Sequence, residues 1–228
     1  MKKYILILFL SLAQIQGQIH INNDSISIDK NVKSWSEIRN DNLTRQQFDY
    51  SCGSASLSTI LTYYYNVEVS EKEILESVLQ SKGIDTQKQE ELAKDENLRK
   101  TLDLSFLDLS HFAESKGFKA IGLGLDLDTL KKLKAPVIVY INVRDIEHFS
   151  VYKGISGEFI NLADPSFGNI KIRLDKFKEM FYRRDDKTHP GKILAILPNS
   201  NSVQINNDFM NIDSKNDLIY EVIKDKIE

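Results

Sequence analysis

The single cysteine of this sequence stands where its thiol could act as a nucleophile. Cys52 begins residues 52–65, in which apolar side chains recur at the spacing of a helix. Unpaired backbone N–H groups and the positive end of the helix dipole favour the thiolate form of a cysteine at that position. A lone cysteine is more often a buried, inert thiol. The place at the helix start favours the reactive interpretation.

A thiolate nucleophile needs a proton acceptor, and His148 is the best candidate among the four histidines. His20 lies near the N-terminus, His111 on a predicted helix and His189 in a polar turn, whereas His148 opens a β-run in the second half. Asp164 ends the next β-run, where a carboxylate could orient the imidazole and stabilise its cation. The alternatives are a core histidine and an Asp-Pro turn.

A glutamine precedes the cysteine by six residues. The amide of Gln46 could donate a hydrogen bond to a developing oxyanion, together with the backbone N–H of Cys52. The sequence therefore offers a nucleophile, a base, an orienting carboxylate and an oxyanion donor for acyl transfer.

Hydrophobic periodicity predicts the elements that must position these residues. Helices are predicted over residues 52–65, 71–80, 107–116, 127–133 and 174–182. Antiparallel strands are predicted over residues 136–141, 148–152, 158–162, 169–173 and 193–197. Residues 83–100 are charged and weakly patterned, so we expect a loop or a loosely packed helix there. Helices first and strands second predict an α+β fold.

The N-terminus has the pattern of a secretory signal peptide, with two lysines, an apolar run and a small residue. We therefore expect an exported, periplasmic protein; an uncleaved N-terminal anchor is the alternative. The predicted organisation is a signal peptide (1–17), an extension (18–40), one domain (41–199) and a polar tail (200–228) with an amphipathic stretch at 218–227.

Composition excludes several classes of function. The chain has 228 residues with 30 basic and 33 acidic side chains, which gives a net charge of −3. It therefore lacks the basic excess that is typical of proteins that bind nucleic acid. With a single cysteine the chain cannot form an internal disulfide. No His, Cys or carboxylate spacing suggests a metal site, and we expect no cofactor.

The motifs around the candidate residues resemble the C39 peptidases, papain-like cysteine proteases that remove double-glycine leader peptides. The resemblance rests on residues 46–57, on His148-Phe-Ser-Val and on residues 162–168, and it covers roughly residues 41–197. It implies a papain-like fold in which a helical half carries the cysteine and a sheet half carries the histidine and the aspartate.

The same resemblance implies a role for each residue. Cys52 would be the nucleophile, His148 the general base and acid, Asp164 the orienting carboxylate and Gln46 the oxyanion donor. The chain looks like stand-alone, exported C39-like proteins, some relatives of which are encoded with secretion systems for functional amyloid fibres.

These implications define the expected function. We expect a cysteine endopeptidase that cleaves after small, Gly-Gly-like residues in a secreted polypeptide, such as a secretion-system or fibre-forming protein. One alternative is a peptidase-like module that binds a leader or secreted polypeptide without cutting it. Another is an amidase or acyltransferase, because all these reactions pass through the same acyl-enzyme.

Overall fold

The described residues divide into two units, with the boundary between Arg39 and Asn40. The computed structural model describes residues 17–23, 26–86, 91, 94, 100–200 and 202–210. The predicted signal segment, apart from Gly17, and the amphipathic stretch at 218–227 lie outside these residues, as does much of 83–100. In the described ranges, no helix is long and apolar enough to cross a membrane.

The N-terminal unit contains an antiparallel hairpin that the sequence analysis did not predict. Strand β1 (Gly17–Asn23) pairs with strand β2 (Ile26–Val32), with Ile21 opposite Ile28. Isoleucines alternate with polar residues along both segments, which is the period of a strand. A short helix, α1 (Trp35–Asn40), follows the hairpin.

Three helices of the second unit confirm the predicted helical half. Helix α2 (Cys52–Thr59) continues as a π-helical turn (Ile60–Tyr64), followed by α3 (Glu71–Ser81) and, later, α4 (Phe106–Ser115). Directly before both α3 and α4 lies a serine, Ser70 or Ser105, whose hydroxyl accepts a backbone N–H of the first turn and so satisfies one of the unpaired donors there.

The sheet half is a six-stranded, wholly antiparallel sheet. Along the chain its elements are β3 (Phe118–Leu125), helix α5 (Leu127–Leu130), β4 (Val137–Val143), β5 (Ile146–Ser156), β6 (Phe159–Asp164), β7 (Gly168–Arg173), helix α6 (Leu174–Phe181) and β8 (Gly191–Pro198). The strand order is β3-β8-β4-β5-β6-β7, so the last strand is inserted between β3 and β4.

Helices cover both faces of this sheet. Successive side chains of a strand point to opposite faces, and Ile138 of β4 joins the core formed with α2, α3 and α4. Val137 and Val139 join a second core with Phe177 and Phe181 of α6. The structure confirms the predicted α+β fold.

The prediction missed strand β3, which lies between two helices. Gly122 and Gly124 interrupt its apolar residues, and glycine weakens the strand signal because it has no side chain to pack. The strand is stabilised by pairing with β8 along its whole length, from Phe118 opposite Pro198 to Leu125 opposite Gly191. These hydrogen bonds compensate for the low strand propensity of its two glycines.

We predict that Gly191→Ala destabilises the fold. A Cβ at Gly191 would lie 2.1 Å from the Phe181 ring, which is fully buried. Helix α6 would therefore have to move relative to the sheet. Such overpacking costs about 1–3 kcal/mol of unfolding free energy. Urea unfolding followed by circular dichroism measures the loss.

Gly122→Ala is the matched control, because a Cβ at Gly122 meets no atom within 4 Å. We expect this variant to be at least as stable as the wild type, since alanine lowers the entropy of the unfolded chain. Equal losses in the two variants would contradict the steric explanation.

Candidate active site

Cys52 is the first residue of α2, as the sequence predicts. Its side chain is half-buried, while all seven following residues of the helix are buried. Gly53 permits the close approach of α2 to β5, because a Cβ at Gly53 would lie 3.1 Å from the Phe149 ring. The start of the helix is therefore held beside the strand segment that carries the candidate histidine.

His148 and Asp164 meet within the sheet. His148 lies on β5 and Asp164 ends β6, the neighbouring strand, and Nε2 of the imidazole is 2.9 Å from Oδ2 of the carboxylate. The two residues are only 8% and 1% exposed. The second oxygen, Oδ1, accepts the backbone N–H groups of Ser166 and Phe167, each at 2.9 Å. Hydrogen bonds to both oxygens compensate for the burial of the carboxylate.

The electrostatic surroundings hold the imidazole in its charged form. Burial alone would lower the pKa of His148, but hydrogen bonds to Asp164 and Cys52, with the negative charge of both partners, raise it to about 10. Because Nε2 of the ring is hydrogen-bonded to Asp164, Nδ1 is the ring nitrogen that can interact with Cys52. The histidine thus bridges the cysteine and the aspartate.

Gln46 is joined to the turn that follows Asp164 rather than directly to the histidine. Its Oε1 accepts the hydroxyl of Ser166 at 2.7 Å, and its backbone N–H donates to Pro165 O at 3.2 Å. Its Nε2 donates to Phe48 O at 3.0 Å. Within the described part of the chain, the other hydrogen of that amide has no hydrogen-bond partner. It can therefore donate a hydrogen bond to a ligand.

A cavity of about 640 Å³ opens over the cysteine and the histidine. Its walls include Tyr140, the hairpin residues Ile146 and Glu147, and the segment around Leu104. Burial and a hydrogen bond to Glu147 raise the pKa of Tyr140, so its hydroxyl stays a neutral donor. A polypeptide segment could reach the thiol through this opening.

The described residues contain no group of three His, Cys, Asp or Glu side chains that could hold a metal ion. The side chains of the site provide a thiol, an imidazole, a carboxylate and an amide.

Sequence reasoning missed two hydroxyl-bearing residues of this site. Ser166 orients Gln46, and the hydroxyl oxygen of Ser51 accepts the backbone N–H of Phe48 in the loop just before Cys52. For Ser166 the available signal was Asp164 itself, because an aspartate in a turn often accepts the backbone N–H two residues on. Ser51 carried none, because its contacts depend on the folded loop.

Both the sequence and the fold of this chain are similar to those of known peptidases. Residues 85–184 match the peptidase C39 family, and this range contains His148 and Asp164, whereas Cys52 and Gln46 precede it. The peptidase domain of the Streptococcus ComA transporter has a similar fold, with a TM-score of 0.50 and 17% identity over 68% of this chain and 97% of that domain.

Two curated relatives are more similar in sequence. The "Probable functional amyloid protease FapD" of Pseudomonas fluorescens is 33% identical over 148 residues, which is 65% of this chain. The match spans 60% of the length of that relative. An uncharacterized protein of Methanothermobacter marburgensis is 30% identical over 61% of this chain and 82% of its own length. On these matches, and with Cys52 and His148 at one cavity and Asp164 bonded to the histidine, the chain belongs to the peptidase C39 family of cysteine peptidases.

Proposed function

We propose that this protein is an endopeptidase that cleaves a polypeptide through Cys52, His148, Asp164 and Gln46. One observation carries the proposal. The His148 ring is hydrogen-bonded to Asp164 at 2.9 Å and lines the same cavity as Cys52, the first residue of a buried helix. Such an arrangement favours a thiolate and an imidazolium, which are the nucleophile and the acid that peptide cleavage needs.

In the first half of the reaction, the Cys52 thiolate attacks the carbonyl carbon of the scissile bond. The carbonyl oxygen becomes an oxyanion, which the Cys52 backbone N–H and the free hydrogen of the Gln46 amide stabilise. His148 gives its proton to the leaving amine, the C–N bond breaks and a thioester remains. Asp164 holds the imidazole in orientation throughout.

In the second half, His148 is neutral and accepts a proton from water. The resulting hydroxide attacks the thioester carbonyl, the C–S bond breaks, and the acid product leaves with the thiolate restored. The cycle is balanced by the side chains and water alone, so no cofactor enters it.

The substrate is a secreted or fibre-forming polypeptide cut after small, Gly-Gly-like residues. The resemblance to proteases that remove double-glycine leaders supports the small residues, and the name of the FapD relative supports a fibre-forming protein. The signal-peptide pattern at residues 1–17 supports export to the periplasm. Cell fractionation tests that location.

The resting ion pair predicts that Cys52 reacts at acidic pH. With the pKa of His148 raised to about 10, the ring stays an imidazolium across neutral pH and can stabilise a thiolate on Cys52. We expect iodoacetamide to alkylate the wild type nearly as fast at pH 6 as at pH 8. In His148→Ala the rate at pH 6 should fall about 100-fold, because an ordinary thiol loses its proton near pH 8.5.

His111→Ala is the control, since His111 is exposed on α4, and we expect it to keep the wild-type profile. Equal, slow alkylation of the wild type and His148→Ala at pH 6 would argue against the ion pair and favour the non-cleaving alternative.

Cleavage itself is tested with quenched fluorescent peptides that carry either Gly-Gly or Leu-Leu before one central bond. We expect the Gly-Gly peptide to be cut at least about tenfold faster, because a pocket shaped for small residues rejects larger ones sterically. Cys52→Ala should bind the peptide and leave it intact. Binding without cleavage by the wild type would contradict the proposal.

The oxyanion role predicts a selective loss in Gln46→Ala. Removing one oxyanion donor lowers kcat by about 10²–10³-fold in comparable sites. Acylation by p-nitrophenyl acetate should fall to that extent, while alkylation by iodoacetamide, which forms no oxyanion, should be unchanged. Gln47→Ala is the matched neighbour, because the side chain of Gln47 is exposed, and it should acylate normally. Equal acylation by Gln46→Ala and Gln47→Ala would remove Gln46 from the mechanism.

A further inference from the structure

A buried carboxylate lies outside the four residues of the proposed mechanism. Glu71 is the first residue of α3 and is only 3% exposed. One of its oxygens, Oε2, is buried and makes no hydrogen bond with any described residue. Two neutral donors do not offset the desolvation of a carboxylate as a cationic partner would. Stability is therefore a poor explanation for this residue.

The other oxygen of Glu71 binds the loop that leads into the nucleophile helix. Oε1 accepts the backbone N–H of Gln47 at 2.9 Å and a short hydrogen bond from the hydroxyl of Ser51. Hydrogen bonds to a charged acceptor are stronger than those between neutral groups. Glu71 thus fixes this loop, residues 46–52, near both of its ends.

From Ser51 the network continues to the oxyanion donor. The Ser51 oxygen accepts the backbone N–H of Phe48 at 3.1 Å, and Phe48 O in turn accepts Nε2 of Gln46 at 3.0 Å. Ser51 also directly precedes Cys52, so its peptide group carries the Cys52 N–H. Both proposed oxyanion donors therefore depend on the loop that Glu71 holds.

We infer that Glu71 is a positioning residue for the oxyanion site, acting through Ser51 and the 46–52 loop on Gln46 and the Cys52 N–H. The inference rests on the proposed function. It assigns Glu71 to the stabilisation of the transition state and leaves the thiolate to His148.

This division of roles can be measured, because two reactions of the same thiolate differ in their need for an oxyanion site. Acylation by p-nitrophenyl acetate passes through an oxyanion, whereas alkylation by iodoacetamide is a direct displacement at carbon. In Glu71→Ala we expect acylation to fall about 10–100-fold, by analogy with the loss of an oxyanion donor, and alkylation to stay within about twofold.

Two further variants separate this role from a structural one. Glu71→Gln should recover most of the acylation rate, because its carbonyl oxygen can accept the same two hydrogen bonds. Ser51→Ala should show the selective loss of acylation even if Glu71→Ala does not fold. Glu73→Ala is the matched control, since Glu73 lies on the same turn but is exposed and binds Lys116, and we expect no change in either rate.

Parallel losses of acylation and alkylation in Glu71→Ala would overturn the inference, as would a normal acylation rate in Ser51→Ala. Failure of the proposed function gives a different result. In that case the wild-type enzyme would already lack acylation and rapid alkylation at pH 6.

Discussion

The hydrogen bond between His148 and Asp164 joins two side chains that the sheet has removed from water. At 2.9 Å, with the carboxylate 1% exposed, the hydrogen bond offsets part of the cost of removing both groups from water. Their meeting depends on strand register, because a shift of one residue would turn His148 to the opposite face of β5. The pairing of β5 with β4 and β6 therefore fixes the chemistry as well as the fold.

The turn after β6 extends this constraint to the rest of the site. Asp164 accepts hydrogen bonds from two backbone N–H groups of the turn. The hydroxyl of Ser166, in the same turn, donates a hydrogen bond to Oε1 of Gln46. Arg45 also donates to Ser166 O, so the loop before Cys52 is docked on the same few residues. One turn thus holds both Asp164 and Gln46, and α2 places Cys52 at the same cavity as His148.

The sequence was sufficient to predict the elements that carry Cys52, His148 and Asp164, because these elements have clear periodicity. It was insufficient for contacts between distant segments, such as Ser166 with Gln46, 120 positions apart. Glu71 could be predicted only as the start of a helix, since nothing local indicates that its carboxylate is buried. Strand β5 starts two residues earlier than predicted, because the β4–β5 turn uses Arg144 and Asp145 at positive φ instead of the usual glycine.

The insertion of β8 between β3 and β4 has a consequence for how the enzyme is made. A ribosome completes Cys52 almost one hundred residues before His148, and β8 ends only at Pro198. Until that strand has emerged, β3 and β4 have no common neighbour, and the two cores on either side of the sheet stay open. A nascent chain therefore carries Cys52 before the sheet that holds His148 and Asp164 can be complete, which requires Pro198 to have been added.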